Sequence, residues 1–204
     1  MMMSLSKQLD TYFANGLFHR YWYENEANKI KSLLPEFEGL PIIRVFAVTS
    51  MTTSIEANVH LGIKALLQWK RNLPFKGFLP NQIMYLNLIK EGKDVPGRKI
   101  MSFINALEGD ENAVVVDIWM CRAFNVIESR VLPSGRSYFK SPTKKVYDFV
   151  ENYVKIDCIK RGVTPRQYQS IIWSGIKTEQ GNLSKNVCWS DLIIKKKGMF
   201  TYGT

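Results

Sequence analysis

An all-α domain is the fold class this sequence predicts, on three observations. Apolar residues recur at helical spacing in segment after segment. Capping residues and glycines bound those segments. Strand signals are few and short. Together they predict about six to nine helices and little sheet. Residues 1–40 read as an N-terminal helical arm, 41–180 as a helical core, and 181–204 as a basic C-terminal tail.

The elements follow in order. Tyr21, Trp22 and Tyr23 fall in the arm, where they either pack a helix or stack on bases. "PIIRVFAV" fits a buried helix or a strand, since a continuous apolar run carries no period. Thr53-x-x-Glu56 has the form of a capping box, and Ile55, Val59, Ile63, Leu66 and Leu67 then share one helical face. Pro80 and Asn81 open a segment with Ile83, Leu86 and Ile89, which Gly92 ends. Ile100, Phe103, Ile104 and Leu107 keep the i, i+3, i+4, i+7 spacing up to Gly109. Residues 114–116, all Val, are too few to define a strand. Asp117 precedes the helix starting at Ile118 and reads locally as its N-cap. Residues 129–142 make the longest predicted loop, basic through Arg130, Arg136 and Lys140. Thr143 starts a helix carrying Val146, Phe149, Val150 and Tyr153 up to Gly162. Thr164-Pro165-Arg166-Gln167 is a second capping box, and Tyr168, Ile171, Ile172 and Ile176 line the closing helix.

Composition narrows the function classes. The 204 residues carry 28 basic and 18 acidic side chains, a formal charge of +10. Such an excess favours polyanionic partners, nucleic acid first among them. The lysine run at 195–197 reads as a solvated face or a phosphate clamp. No stretch is apolar over the ~20 residues of a membrane span, and the start, MMMSLSK, has no signal-peptide core. Cys121, Cys158 and Cys188 are few, odd in number and far apart, which predicts reduced thiols in an intracellular protein. With only His19 and His60 beside them, a zinc site or metal cluster is not expected.

The chemically suggestive feature is a Lys–Asp pair. "GKDVPGRK" ends one helix, turns, and starts another, with Lys99 at the new N-terminus. Such a turn exposes backbone N–H groups suited to a phosphate. Asp117 follows after one helix and a tight connection, so the two side chains are expected to open onto one cleft. Apolar surroundings lower a lysine's proton affinity and favour nucleophilic attack. A nearby carboxylate stabilises positive charge developing on a sugar.

"PGRKIMSFINALEGDENAVVVDIWMCRAF" resembles the core of the helix-hairpin-helix DNA glycosylases, the superfamily of endonuclease III and the 8-oxoguanine glycosylases. Gly97 and Lys99 match the end of that family's hairpin, and Val116, Asp117 and Arg122 match its second motif. Upstream, "TSMTTSIEANVHLGIKAL" is similar to the family's early helix through Thr53, Ile55 and Asn58. The sequence departs from the pattern with Val95 for the first hairpin glycine, Lys93-Asp94 for its leading Leu-Pro, Trp119 for a histidine, and Met51 for the residue that fills the gap left by a flipped base.

The resemblance implies a helix-hairpin-helix glycosylase-like fold and base excision repair chemistry on duplex DNA carrying a damaged or modified base. One nucleotide is flipped out, because the sugar C1′ is unreachable inside the stack. Lys99 attacks C1′ and Asp117 stabilises the cationic sugar, giving N-glycosylase and abasic-site lyase activity. Gly97, Arg98, Lys93, Met51 and Arg122 then contact DNA, and Trp119, Met120 and Trp173 line a base pocket. No cofactor is implied, and a monomer in the cytoplasm or nucleoid of the host cell is expected.

Each residue has a simpler reading too. Lys99 is a phosphate-binding or solvated lysine, Arg122 an internal ion-pair partner, and Trp119, Met120 and Trp173 core. Two other functions remain open: a non-catalytic DNA-binding or interaction protein that keeps the fold, and a related enzyme that edits or hypermodifies a base.

Overall fold

The structure, a computed structural model, describes residues 4–51, 53–127, 129–131, 137–139, 141–180 and 188–200. Among the described residues the protein is all-α apart from one small ribbon. Its helices are α1 (Leu5–Gly16), α2 (Trp22–Leu33), α3 (Ile42–Thr49), α4 (Ile55–Lys70), α5 (Pro80–Lys90), α6 (Arg98–Glu108), α7 (Ile118–Ala123), α8 (Lys144–Lys160), α9 (Pro165–Glu179) and α10 (Trp189–Phe200). Short 3-10 turns span Leu17–His19 and Pro35–Phe37. Strands β1 (Ser129–Val131) and β2 (Ser137–Phe139) pair antiparallel, Arg130 opposite Tyr138, within the segment predicted as a plain loop. Its Arg136 and Lys140 lie outside the described residues, as do the side chains of Arg130, Lys196 and Lys197. No helix among the described residues is long and apolar enough to cross a membrane.

The chain divides into two compact units: Met1–Trp22 with Asp110–Ser184, and Tyr23–Gly109 with Lys185–Thr204. This division cuts across the arm, core and tail read from the sequence. In the first unit, α1 packs along α9 with the backbones nearly touching. A Cβ on Gly16 would lie 1.8 Å from the Ile171 carbonyl oxygen, and one on Gly175 would lie 1.9 Å from that of Tyr12. Only a residue without a side chain allows such an approach. Leu9, Tyr12, Val116, Met120, Val150, Tyr168 and Ile172 fill the core below. Residues 114–116 are buried and belong to no helix or strand. The Tyr147 hydroxyl satisfies their backbone, donating to the Val114 carbonyl (2.9 Å) and accepting from the Val116 N–H (3.3 Å).

A second polar lock braces the same core. Asp157 on α8 accepts from Arg161 Nε at 2.7 Å and from the Tyr168 hydroxyl at 2.9 Å. Arg161 also donates to Asp10 at 2.6 Å and lies over the Phe13 ring at 4.6 Å.

In the second unit, "PIIRVFAV" resolves to α3, buried at Ile42, Ile43 and every residue from 45 to 49. Burial on all sides explains why its sequence shows no period. Neighbouring helices satisfy its last carbonyls. Asn58 donates to Phe46 O (3.0 Å) and Thr49 Oγ1 (2.8 Å), and Gln82 donates to Thr49 O (3.1 Å). The α4 cap is Ser54, not Thr53: Ser54 Oγ accepts from Ala57 N, while Thr53 donates back to the Thr49 carbonyl. The segment predicted as a tail carries α10, whose first turn is held by buried Glu26. That carboxylate accepts from the Ser190 N–H and hydroxyl, both at 3.1 Å.

Candidate active site

The hairpin forms as its glycines require. After α5, Gly92 adopts φ +71° and Gly97 φ +105°, conformations that a side chain disfavours. Val95 is buried and anchors the turn. Gly97 begins α6 without a side-chain cap, so the first-turn N–H groups stay available to an acceptor. Lys93, Arg98 and Lys99 are all exposed here. Lys93 pairs with Glu91 at 2.7 Å. Met51 follows α3, and its carbonyl accepts weakly from Gln82 at 3.5 Å. All of these residues belong to the second unit, whereas Asp117, Trp119, Met120, Arg122 and Trp173 belong to the first.

In the first unit Asp117 does two jobs. Its Oδ1 caps α7, accepting from the N–H groups of Trp119 (2.9 Å) and Met120 (3.0 Å). Its Oδ2 accepts from the Trp173 indole Nε1 at 3.0 Å. Capping alone leaves one carboxylate oxygen to spare, and here that oxygen is engaged across the packing of α7 on α9. The three bonds fix the carboxylate in a half-buried setting. Trp173 in turn lies 6.2 Å from the Trp22 ring.

Cations cover the neighbouring indoles. Arg122 lies 4.5 Å above the Trp119 ring. Lys177, one turn beyond Trp173, lies 4.1 Å from the Trp173 centroid and 5.2 Å from that of Trp119. Burial pushes the Lys177 amine below the usual lysine range, and the Asp117 charge opposes that shift in part. Met120 points the other way, fully buried in the core, and takes no part in this cluster. Of the residues singled out in the sequence, Asp117, Trp119, Trp173 and Arg122 come together here, and Lys177, not among them, joins the cluster. Its only signal was the i, i+4 relation to Trp173.

The aromatic trio of the arm is also divided. Tyr23 is buried against Phe103, Trp22 packs on Trp173, and Tyr21 is half-exposed beneath Arg20. A cleft of about 540 Å³ in the second unit, between Lys31, Glu38 and Glu108, contains none of the predicted site residues.

The chain belongs to DUF7178, a family of unknown function, which it matches over residues 20–180. The DUF7178 span takes in the hairpin, Asp117 and Lys177, and leaves α1 and α10 outside. No curated protein and no solved structure matches the chain.

Proposed function

We propose that the protein is an intracellular DNA N-glycosylase with abasic-site lyase activity, and that it resembles the helix-hairpin-helix glycosylases in fold as well as in sequence. The placement of Asp117 carries this reading. A capping aspartate needs no indole partner and no cations over the adjoining rings. A carboxylate held rigid beside half-buried aromatic faces is instead suited to a cationic sugar flanked by stacked bases. The net charge of +10 and the exposed Lys93, Arg98 and Lys99 of the hairpin suit a phosphate backbone. A lysine serves as the nucleophile, Lys99 on the resemblance, and the chemistry requires no cofactor.

The exposure of all three basic hairpin residues also favours a second reading, a DNA-binding protein without catalysis. Borohydride reduction in the presence of duplex DNA containing an abasic site separates the two. A covalent protein–DNA adduct is expected from the enzyme. Salt-sensitive binding with no adduct and no base release, across abasic, uracil, oxidised and alkylated substrates, would leave the binder.

A further inference from the structure

Lys177 projects from α9 into the gap between two indoles that come from different helices, Trp173 on α9 and Trp119 on α7. Among the described residues, no carboxylate closes to salt-bridge distance on it. Asp117 is near enough to act on its charge, yet the Asp117 oxygens are taken by two backbone N–H groups and the Trp173 indole. Most surface lysines are fully hydrated, and most buried ones pair with a carboxylate. This one is half-buried and held by ring faces.

We propose that Lys177 is the amine of this site, and that it forms an imine with the aldehyde carbon of a ring-opened deoxyribose. The assignment rests on the lyase reading given above and names the reacting group within it. Three observations support it. Lys177 shares a unit and a packed helix pair with Asp117. Burial holds part of the Lys177 population neutral at lower pH than an exposed lysine, as nucleophilic attack requires. The indoles beside it present flat apolar faces on which nucleobases next to the abasic sugar can stack.

The steps balance without an added reagent. The Nζ lone pair adds to C1′ as the carbonyl π pair moves onto oxygen, and proton transfer gives a carbinolamine. Water then leaves, and the iminium carries a positive charge that Asp117 stabilises. Solvent water then takes a C2′ proton, the C–H electron pair forms the C2′–C3′ double bond, and the 3′ phosphate leaves with the C3′–O pair, which cuts the strand. Added borohydride instead delivers hydride to the iminium carbon and fixes the protein to the sugar.

The test uses the full chain, abasic-site duplex DNA and borohydride, with the adduct located by peptide mass spectrometry. The adduct is expected on the peptide containing Lys177. Lys177→Met and Lys177→Arg should each reduce its yield by ~100-fold or more. The Arg variant keeps the positive charge over the rings, and a melting temperature no lower than that of the unaltered protein in either variant shows that the fold is intact. Lys99→Ala should still give the Lys177 adduct, at weaker DNA affinity. An adduct located on Lys99 would overturn the assignment and leave the lyase reading standing. No adduct from the unaltered protein would overturn both.

Discussion

The sites of two carboxylates of the first unit, Asp117 and Asp157, are built from the same kinds of parts in opposite arrangements. Each sits beside a cation and aromatic rings, and each accepts a hydrogen bond from an aromatic side chain of α9. At Asp157 the cation closes onto the carboxylate: Arg161 donates at 2.7 Å, and a second carboxylate, Asp10, takes its other end. Burial alone would lower the Arg161 pKa, but the two carboxylates outweigh it and raise it further. Burial and the bond to Asp157 likewise push the Tyr168 hydroxyl well above its ordinary range. The guanidinium is thus held by a carboxylate at each end. At Asp117 the hydrogen bonds come from neutral donors, and the cation is left on the ring faces. Burial therefore prevails, and the Lys177 amine gives up its proton more readily. A carboxylate paired directly to its cation makes a brace. A carboxylate bonded to neutral groups, with its cation set aside, leaves an amine able to react.

Charge-removing substitutions test that contrast, and the largest effect is expected at Asp117. Asp117→Asn should lower the rate of adduct formation by ~10²–10³, the typical effect of losing one preorganised electrostatic group. Asn is itself a good cap, so stability should fall by no more than about 1 kcal/mol in chemical denaturation. An unchanged rate would make Asp117 a cap and nothing more. At Asp157 the balance should reverse. Asp157→Asn leaves a partly buried guanidinium short of its partner, and we expect a loss of about 2–3 kcal/mol in stability. Adduct formation per folded molecule should stay unchanged.

Smaller effects sharpen the comparison. Tyr168→Phe removes one charge-assisted bond from the brace and should cost about 1.5 kcal/mol by the same denaturation measurement. Acidity gives a further contrast. The lowered Lys177 pKa means that the unfolded chain holds this proton at pH values where the folded chain has begun to release it. The stability penalty is fully present below the folded pKa and is relieved as pH rises from there to the ordinary lysine value. Denaturation series of the protein and Lys177→Met should therefore converge over that range. Parallel curves would mean that Lys177 titrates as an ordinary surface lysine. The hairpin supplies the smallest effect. Arg98→Ala should reduce the slope of log affinity against log salt by roughly 0.9 if Arg98 meets one phosphate.

Much of the framework was legible because caps and turns are local. Thr143 and the Thr164–Gln167 box start α8 and α9 where the sequence placed them, and Gly92, Gly109 and Gly162 take up positive φ at helix ends. What escaped the sequence depends on contacts between distant segments. The role of Lys177 exists only because α7 packs on α9. Phe149 shares a helical face with Val150 in the pattern, yet α8 leaves it half-exposed. The strands of the β1–β2 ribbon are three residues each, Ser-Arg-Val and Ser-Tyr-Phe, too short for an alternating period to announce them. Met120 looked like a pocket residue beside Trp119, but successive residues on a helix point in different directions, and its side chain falls on the core side.

The close contact of α1 with α9 also sets a timetable for synthesis. The partner that covers Leu9 and Tyr12 is made only after the whole Tyr23–Gly109 segment has been translated. At ~5–20 residues per second, α1 waits roughly 8–30 s on the ribosome with its apolar face uncovered. The nascent α1 is therefore a natural client for a chaperone, and a slow translation step before α9 would lengthen that exposure.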